Sequence, residues 1–117
     1  MFFIYDTKFT VKKLFLNFLK TLLFLIFSSI IHANADDLFN KGKVVFLEAG
    51  NCATCHALSD AGSNAMIGPN LNEIRPDIQR IIMAVRNGIG VMPAMEGILS
   101  DEEIDAVAHY VSISAEQ

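Results

Sequence analysis

Cys52-Ala53-Thr54-Cys55-His56 is the stretch on which the reading of this chain turns. It holds both cysteines of the 117-residue sequence, three positions apart, with a histidine directly after them. A disulfide between them would close only a very short loop, and by the chain-entropy argument it would add little stability. A thioredoxin-like dithiol needs a strand–helix setting, whereas this pair follows a helical pattern and precedes a Gly-, Ser- and Asn-rich loop. A zinc site needs about four ligands. The chain downstream of residue 35 offers only two cysteines and two histidines. The remaining chemistry fits better: each thiol adds to one vinyl group of a haem, and the adjacent imidazole faces the iron as an axial ligand.

Upstream, the composition changes. Lys8, Lys12, Lys13 and Lys20 precede an apolar run from Thr21 to Ile31, and Ala33-Asn34-Ala35 follows. Basic, then apolar, then small-x-small is the layout of a secretory signal peptide, with cleavage expected after Ala35. The run between Lys20 and His32 is about half of the ~20 apolar residues that a membrane-spanning helix needs. An uncleaved N-terminal anchor is the alternative, because Leu14 to Leu19 add apolar residues upstream. The expected organisation is therefore residues 1–35 as leader and 36–117 as one small domain.

That domain carries five basic residues (Lys41, Lys43, Arg75, Arg80, Arg86) against twelve acidic ones, a formal charge of −7. Such a balance argues against nucleic acid and for protein partners with a basic docking site. About 80 residues bury only a modest core, and domains of this size often rely on a metal, disulfide or cofactor.

Three helical patterns flank the motif, and no run alternates convincingly with period two. The first spans about Asp37 to Ala49, with Leu38, Gly42, Val45 and Ala49 on one side, Asp36 and Asp37 at its start and Gly50 at its end. Ser59 to Pro69 reads as a loop. The second helix is expected from Pro76, a suitable first helical residue. Its apolar stripe is Ile78, Ile81, Ile82 and Val85, and Asn87-Gly88 closes it. Ile89 to Gly97 is irregular, with two glycines and Pro93. The third opens on Ser100-Asp101-Glu102-Glu103, a capping box, and its apolar face is Ile104, Val107, Ala108 and Val111. The fold class is all-α, with three main helices and long loops.

A sixth iron position must be filled or left open. The candidates are Met66, Met83, Met92, Met95 and His109. Met83 lies roughly opposite the isoleucine stripe, Met66 is close in sequence to His56, and His109 falls on the polar side of the last helix. Met92 and Met95 lie on the irregular loop, and Met92 is favoured because Pro93 stiffens the backbone beside it. Met95 is then a packing residue.

Taken together, residues 36–117 resemble a class I cytochrome c, a monohaem family. The Cys52–His56 motif follows an N-terminal helix, Met92-Pro93 matches the family's Met-Pro loop before a final helix, and Gly68-Pro69-Asn70-Leu71 matches its Gly-Pro-x-Leu segment. The resemblance implies a small cytochrome c fold around one covalently bound haem c, with His56 and Met92 on the iron. It also implies that the Pro69 carbonyl accepts the hydrogen bond of the other ring nitrogen of His56, and that Gly42 and Phe46 cross Val107 and Tyr110 between the first and last helices. The chain departs from some relatives in having no tryptophan near a haem propionate; Arg75, Arg80 and Arg86 are the candidates to neutralise those groups.

The function expected from these features is a soluble, non-enzymatic electron carrier between redox partner proteins, monomeric or part of a redox complex, with no stable membrane insertion after cleavage. The alternatives are a fixed subunit of a periplasmic dehydrogenase complex, and a ligand sensor or enzyme in which Met92 leaves the iron. Copurification with a larger redox protein distinguishes the former, and ready carbon monoxide or cyanide binding the latter. The bacterial periplasm is the expected compartment, with the thylakoid lumen as the alternative.

Overall fold

The computed structural model describes residues 7–117, without the side chains of 7–9 and 28–34. The first six residues of the expected leader, and the side chains of Ala33 and Asn34 at its expected cleavage site, lie outside the described residues. The chain divides into two compact units, 1–35 and 36–117. Among the described residues no helix is long and apolar enough to cross a membrane.

Helix α1 runs over Thr7–Val44 and a wider π turn, Val45–Ala49, continues it. The sequence reading placed the start of this helix near Asp37, but neither proline nor glycine interrupts the chain between Thr7 and Lys41, so Asp36 and Asp37 are interior residues rather than caps. The inward face differs as well. Gly42, Val45 and Phe46 are buried and Phe39 is half-buried, whereas Leu38 and Ala49 are exposed.

The reason is the partner. Helix α4, Asp101–Ser114, crosses α1 at Gly42. A Cβ added there would stand 2.1 Å from the Ala106 carbonyl oxygen and 2.6 Å from the Tyr110 Cβ. Glycine costs a helix interior about 1 kcal/mol relative to alanine; here its missing side chain lets two backbones touch. Phe39 and Phe46 pack edge-on against Tyr110, with centroids 5.0 and 5.8 Å away, a geometry that adds about 0.5–1.5 kcal/mol per pair beyond area burial. Ala106 rather than Val107 makes the closest approach, while Val107 fills the core beside it.

Helix α4 starts with the expected capping box: the Ser100 hydroxyl accepts from the Glu103 amide, and the Glu103 carboxylate accepts from the Ser100 amide. Ile104, Val107, Ala108 and Val111 are buried as anticipated. The middle helix, α3, covers Ile78–Asn87. Asp77 caps it by accepting from the Arg80 amide at 3.0 Å, so Pro76 precedes the cap instead of opening the helix. Ile81 and Val85 are buried against α4, Ile82 is half-buried, and Ile78 is on the rim. Gly88, with φ +71°, ends the helix.

The segment read as a loop contains a hairpin. Strands β1, His56–Leu58, and β2, Ser63–Met66, pair antiparallel, with a register irregularity between His56 and Ala57. Strands of three and four residues with a bulge leave no alternation to recognise. A short helix, α2 (Leu71–Ile74), follows, capped by Asn70. The molecule is mostly helical, and three main helices build the core as expected.

Tyr110 ties this hairpin to the helix crossing. Its hydroxyl donates to the Asp60 carboxylate at 2.7 Å, in the turn between the strands. Lys43 approaches the same carboxylate at 2.9 Å and donates to the Asp60 carbonyl. The Tyr110 hydroxyl bond and the Lys43 contact hold the Asp60 carboxyl below its ordinary value, and burial raises the Tyr110 phenol. A depressed carboxylate means the unfolded chain takes up the proton first, so this tie stabilises the fold above about pH 4 and is lost as pH falls through the folded value. In denaturant titrations the wild type is expected to exceed Asp60→Asn in stability at pH 7, and that difference should shrink below about pH 4. A difference independent of pH would overturn the assignment.

Candidate functional site

The cysteine motif is reached through a tight exit from α1. The Gly50 amide closes the π turn on Val45, and Asn51 adopts a left-handed conformation (φ +49°) that asparagine tolerates better than most side chains. Its side-chain oxygen accepts from the Thr54 hydroxyl at 2.6 Å. Cys52, Ala53 and Thr54 then form a 3₁₀ turn. Both cysteines are free and half-buried. Burial, with the neighbouring Cys55, pushes the Cys52 thiol up to about 11. Redox dithiols work through a lowered thiol, so this environment does not favour that reading.

His56 opens β1. Its Nδ1 stands 2.9 Å from the Pro69 carbonyl oxygen. A carbonyl only accepts, so Nδ1 carries the proton and Nε2 keeps its lone pair for a metal. The ring rests on Gly68, where an added Cβ would come within 2.6 Å of Cε1 and 2.8 Å of Nδ1. The Gly68 amide also donates to the Cys55 carbonyl at 2.7 Å. Glycine at this position is therefore a packing requirement of the imidazole.

Met92 belongs to the loop between α3 and α4. It is half-buried against the core, as is Met95. Two amides of this loop satisfy carbonyls that the end of α3 leaves unpaired: Met95 donates to Val85 at 2.8 Å and Glu96 to Arg86 at 3.4 Å. Gly88 permits the return, since a Cβ there would lie 2.5 Å from the Met92 carbonyl. Ile89 and Met92 exchange both backbone hydrogen bonds, at 3.2 and 3.0 Å, and so close a turn immediately before Pro93. Among the other candidates, Met66 (92% exposed) and Met83 (65%) point to solvent, and His109 is half-buried on α4.

Two free thiols, an imidazole with its tautomer fixed and a thioether on a pinned loop are a donor set suited to a covalently held haem. The surroundings agree. The segments beside Pro69 and Met92 leave Ile67, Ile89, Val91 and Ile98 uncovered by protein, apolar surface that a large flat ring is suited to cover. Of the three arginines considered for the propionates, Arg86 is committed to Glu96 and Asp101, at 2.9 and 2.7 Å, which leaves Arg75 and Arg80.

Sequence reasoning missed two polar residues that fasten the motif. Ser63 on β2 directs its hydroxyl at the Ala53 and His56 carbonyls, at 2.7 and 2.8 Å. The Asn72 side chain joins the motif's hairpin to the end of α4. Neither has a local signature, because both act on backbone atoms distant in sequence.

Comparison with known proteins agrees with this geometry. The family model for subunit III of cbb3-type cytochrome c oxidase matches residues 37–111. A cytochrome c6 from Synechocystis sp. is 38% identical over 100 residues, covering 79% of this chain and 78% of that protein. Another, from Leptolyngbya boryana, is 38% identical over 71 residues, 57% of this chain and 84% of that one. Among solved structures, the c-type cytochrome SorU from Sinorhizobium meliloti superposes with a TM-score of 0.65 at 52% identity, covering 68% of this chain and 93% of its own. This chain belongs to the class I, monohaem cytochrome c family, and it is an electron-carrying protein with covalently bound haem c.

Proposed function

We propose that Cys52 and Cys55 form the two thioether links, that His56 Nε2 and Met92 Sδ bind the iron, and that the chain is an exported, diffusible one-electron carrier rather than an enzyme. The observation that carries this reading is the 2.9 Å contact of His56 Nδ1 with the Pro69 carbonyl, because it leaves Nε2 as the imidazole's only available donor. When bound, the haem supplies a one-electron change of oxidation state at its iron. The protein's part is to hold that centre still. Pro69 fixes the tautomer of His56 and raises its donor strength, Gly68 supports the ring, and the amides of Met95 and Glu96 pin the loop on which Met92 sits. Were His56 and Met92 both to hold the iron, no position on it would be left for a substrate, and the group would supply outer-sphere electron transfer. A Met92 thioether together with the His56 imidazole would favour the reduced state relative to two histidines.

The leader reading belongs to this proposal. The division of the chain between Ala35 and Asp36 coincides with the end of the small-x-small site, and cleavage there releases the 36–117 domain. Its formal charge of −7 suits a redox partner whose docking site is basic. A fixed place in a larger redox assembly is the second reading, favoured by one observation: the matching family model describes an oxidase subunit.

Spectroscopy tests the ligands. Met92→Ala is expected to abolish the weak methionine–iron charge-transfer band while a sharp reduced α-band survives acid–acetone extraction. Loss of the charge-transfer band in Met95→Ala instead would transfer the role to Met95. Mass spectrometry of the exported holoprotein tests the leader: the chain should begin at Asp36, and an intact N-terminus would establish an uncleaved anchor. The charge is tested with small inorganic reagents. Electron exchange with a cationic complex should slow as salt rises over the range where the Debye length falls from about 30 to 10 Å, and exchange with an anionic one should quicken. Rates indifferent to salt would remove the argument for a basic partner.

A further inference from the structure

The His56 ring takes its orientation from Pro69, which raises the question of what holds Pro69. The residue is exposed and has no amide proton of its own. Two backbone segments run beside each other here, 52–59 and 68–72, and three bonds cross between them. The first is Gly68 N–H to the Cys55 carbonyl at 2.7 Å. The second is His56 Nδ1–H to the Pro69 carbonyl at 2.9 Å. The third is Ser59 N–H to Asn72 Oδ1 at 2.8 Å. The outer two bracket the middle one, so the length of the His56 bond is set from both sides. One bracket is backbone, which no substitution of a neighbouring side chain removes directly. The other is a side chain.

Asn72 is half-buried in α2 and reaches in two directions. Its Nδ2 donates to the Ser114 carbonyl at 3.2 Å, one of the carbonyls that the end of α4 leaves without a helical partner. Chemistry fixes which way the amide points. The Ser59 amide only donates and so needs the oxygen, whereas the Ser114 carbonyl only accepts and so needs the nitrogen. Its own backbone is held in turn, because the Asn72 amide donates to Asn70 Oδ1 and the Asn72 carbonyl accepts from Arg75 Nε.

We propose that Asn72 is a positioning residue for the iron-ligating imidazole: by tying α2 to Ser59 it holds the Pro69 carbonyl at hydrogen-bond distance from His56 Nδ1, and so tunes the reduction potential. The inference rests on His56 being the iron ligand, as proposed above. A firm Nδ1–H···O bond makes Nε2 a stronger donor, which favours the oxidised iron. Slackening the strap weakens that donor and shifts the couple toward the reduced form.

The test uses purified holoprotein. In the reduced wild type the His56 Nδ1 proton should be visible by NMR and exchange slowly with solvent. In Asn72→Ala its exchange should quicken by about tenfold, and the electron-exchange equilibrium should move about threefold toward the reduced protein, about 28 mV at 59 mV per tenfold for one electron. The methionine–iron band should stay. Asn72→Asp keeps the oxygen that Ser59 requires and gives up only the donor to Ser114, so its Nδ1 proton should exchange as in the wild type; its potential is not compared, because the added charge shifts it. If Asn72→Ala lowers the denaturant midpoint but leaves both proton exchange and potential unchanged, Asn72 merely holds the fold and the proposal is overturned. Should Asn72→Ala yield no holoprotein, Asn72→Asp decides alone: wild-type exchange supports the tie to Ser59, and fast exchange refutes it. A wild type that shows no histidine ligand signature would refute the ligand assignment itself, and the positioning role with it.

Discussion

The contact between the backbones of α1 and α4 at Gly42 is the constraint from which the rest of the 36–117 domain follows. No side chain fits there, since the nearest atom is the Ala106 carbonyl oxygen, part of a helix backbone that cannot turn aside. Overpacking at such a point typically costs about 1–3 kcal/mol, more than the helix-propensity gain that any replacement for glycine would bring. Because the helices approach so closely, the Tyr110 ring is caught between Phe39 and Phe46, and its hydroxyl reaches Asp60. Asp60 lies in the turn of the hairpin that begins with His56. A missing side chain in the first helix thus fixes, through one tyrosine, where His56 sits.

The two sides of the site are anchored separately. The histidine side hangs from the hairpin, Gly68 and α2. The methionine side hangs from the end of α3, whose unpaired carbonyls receive the amides of Met95 and Glu96, and from Arg86, whose guanidinium holds both Glu96 in the loop and Asp101 at the start of α4. Both anchorages converge on α4: the Arg86–Asp101 pair meets its first turn, and Asn72 meets the Ser114 carbonyl at its last. A site assembled from two loops is thereby referred to one helix, which is itself clamped to α1.

What the sequence disclosed and what it withheld divide along physical lines. The capping box at Ser100, the isoleucine stripe, the glycine stop after Asn87 and the Cys52–His56 motif were legible because each is a local pattern of adjacent or helically spaced residues. The Pro69 bond and the crossing at Gly42 came only through family resemblance, and the structure contains both, with Ala106 in place of Val107 as the nearest neighbour. The hairpin between His56 and Met66 was read as a loop, because strands this short and bulged carry no alternation. In the full chain the first helix begins upstream of Asp37, because acidic residues suited to a cap also stand inside a helix when nothing upstream breaks it. Ser63 and Asn72 were invisible for a different reason: their partners are backbone carbonyls and amides, which every residue possesses, so sequence identity at the partner says nothing.

The same division bears on how a chain of this size sustains a redox centre. About 80 residues give only a modest apolar core, and His56 and Met92 are no more than half-buried at its edge. Fast outer-sphere transfer requires that the ligands move little between oxidation states. In a larger protein, burial on all sides can supply that stiffness. Here directional bonds contribute to it: the Ser63 hydroxyl on two carbonyls of the motif, the Gly68 amide on the Cys55 carbonyl, the Asn72 side-chain oxygen on the Ser59 amide, and the Met95 amide on the Val85 carbonyl. Each such bond contributes only about 0.5–1.5 kcal/mol to stability. Their effect on geometry is larger than that figure suggests, because they act at the few backbone positions from which both proposed ligands depend. The small exposed domain and the stiff site are compatible for this reason: the apolar core fixes the helices, and a short chain of hydrogen bonds carries their rigidity out to His56 and Met92.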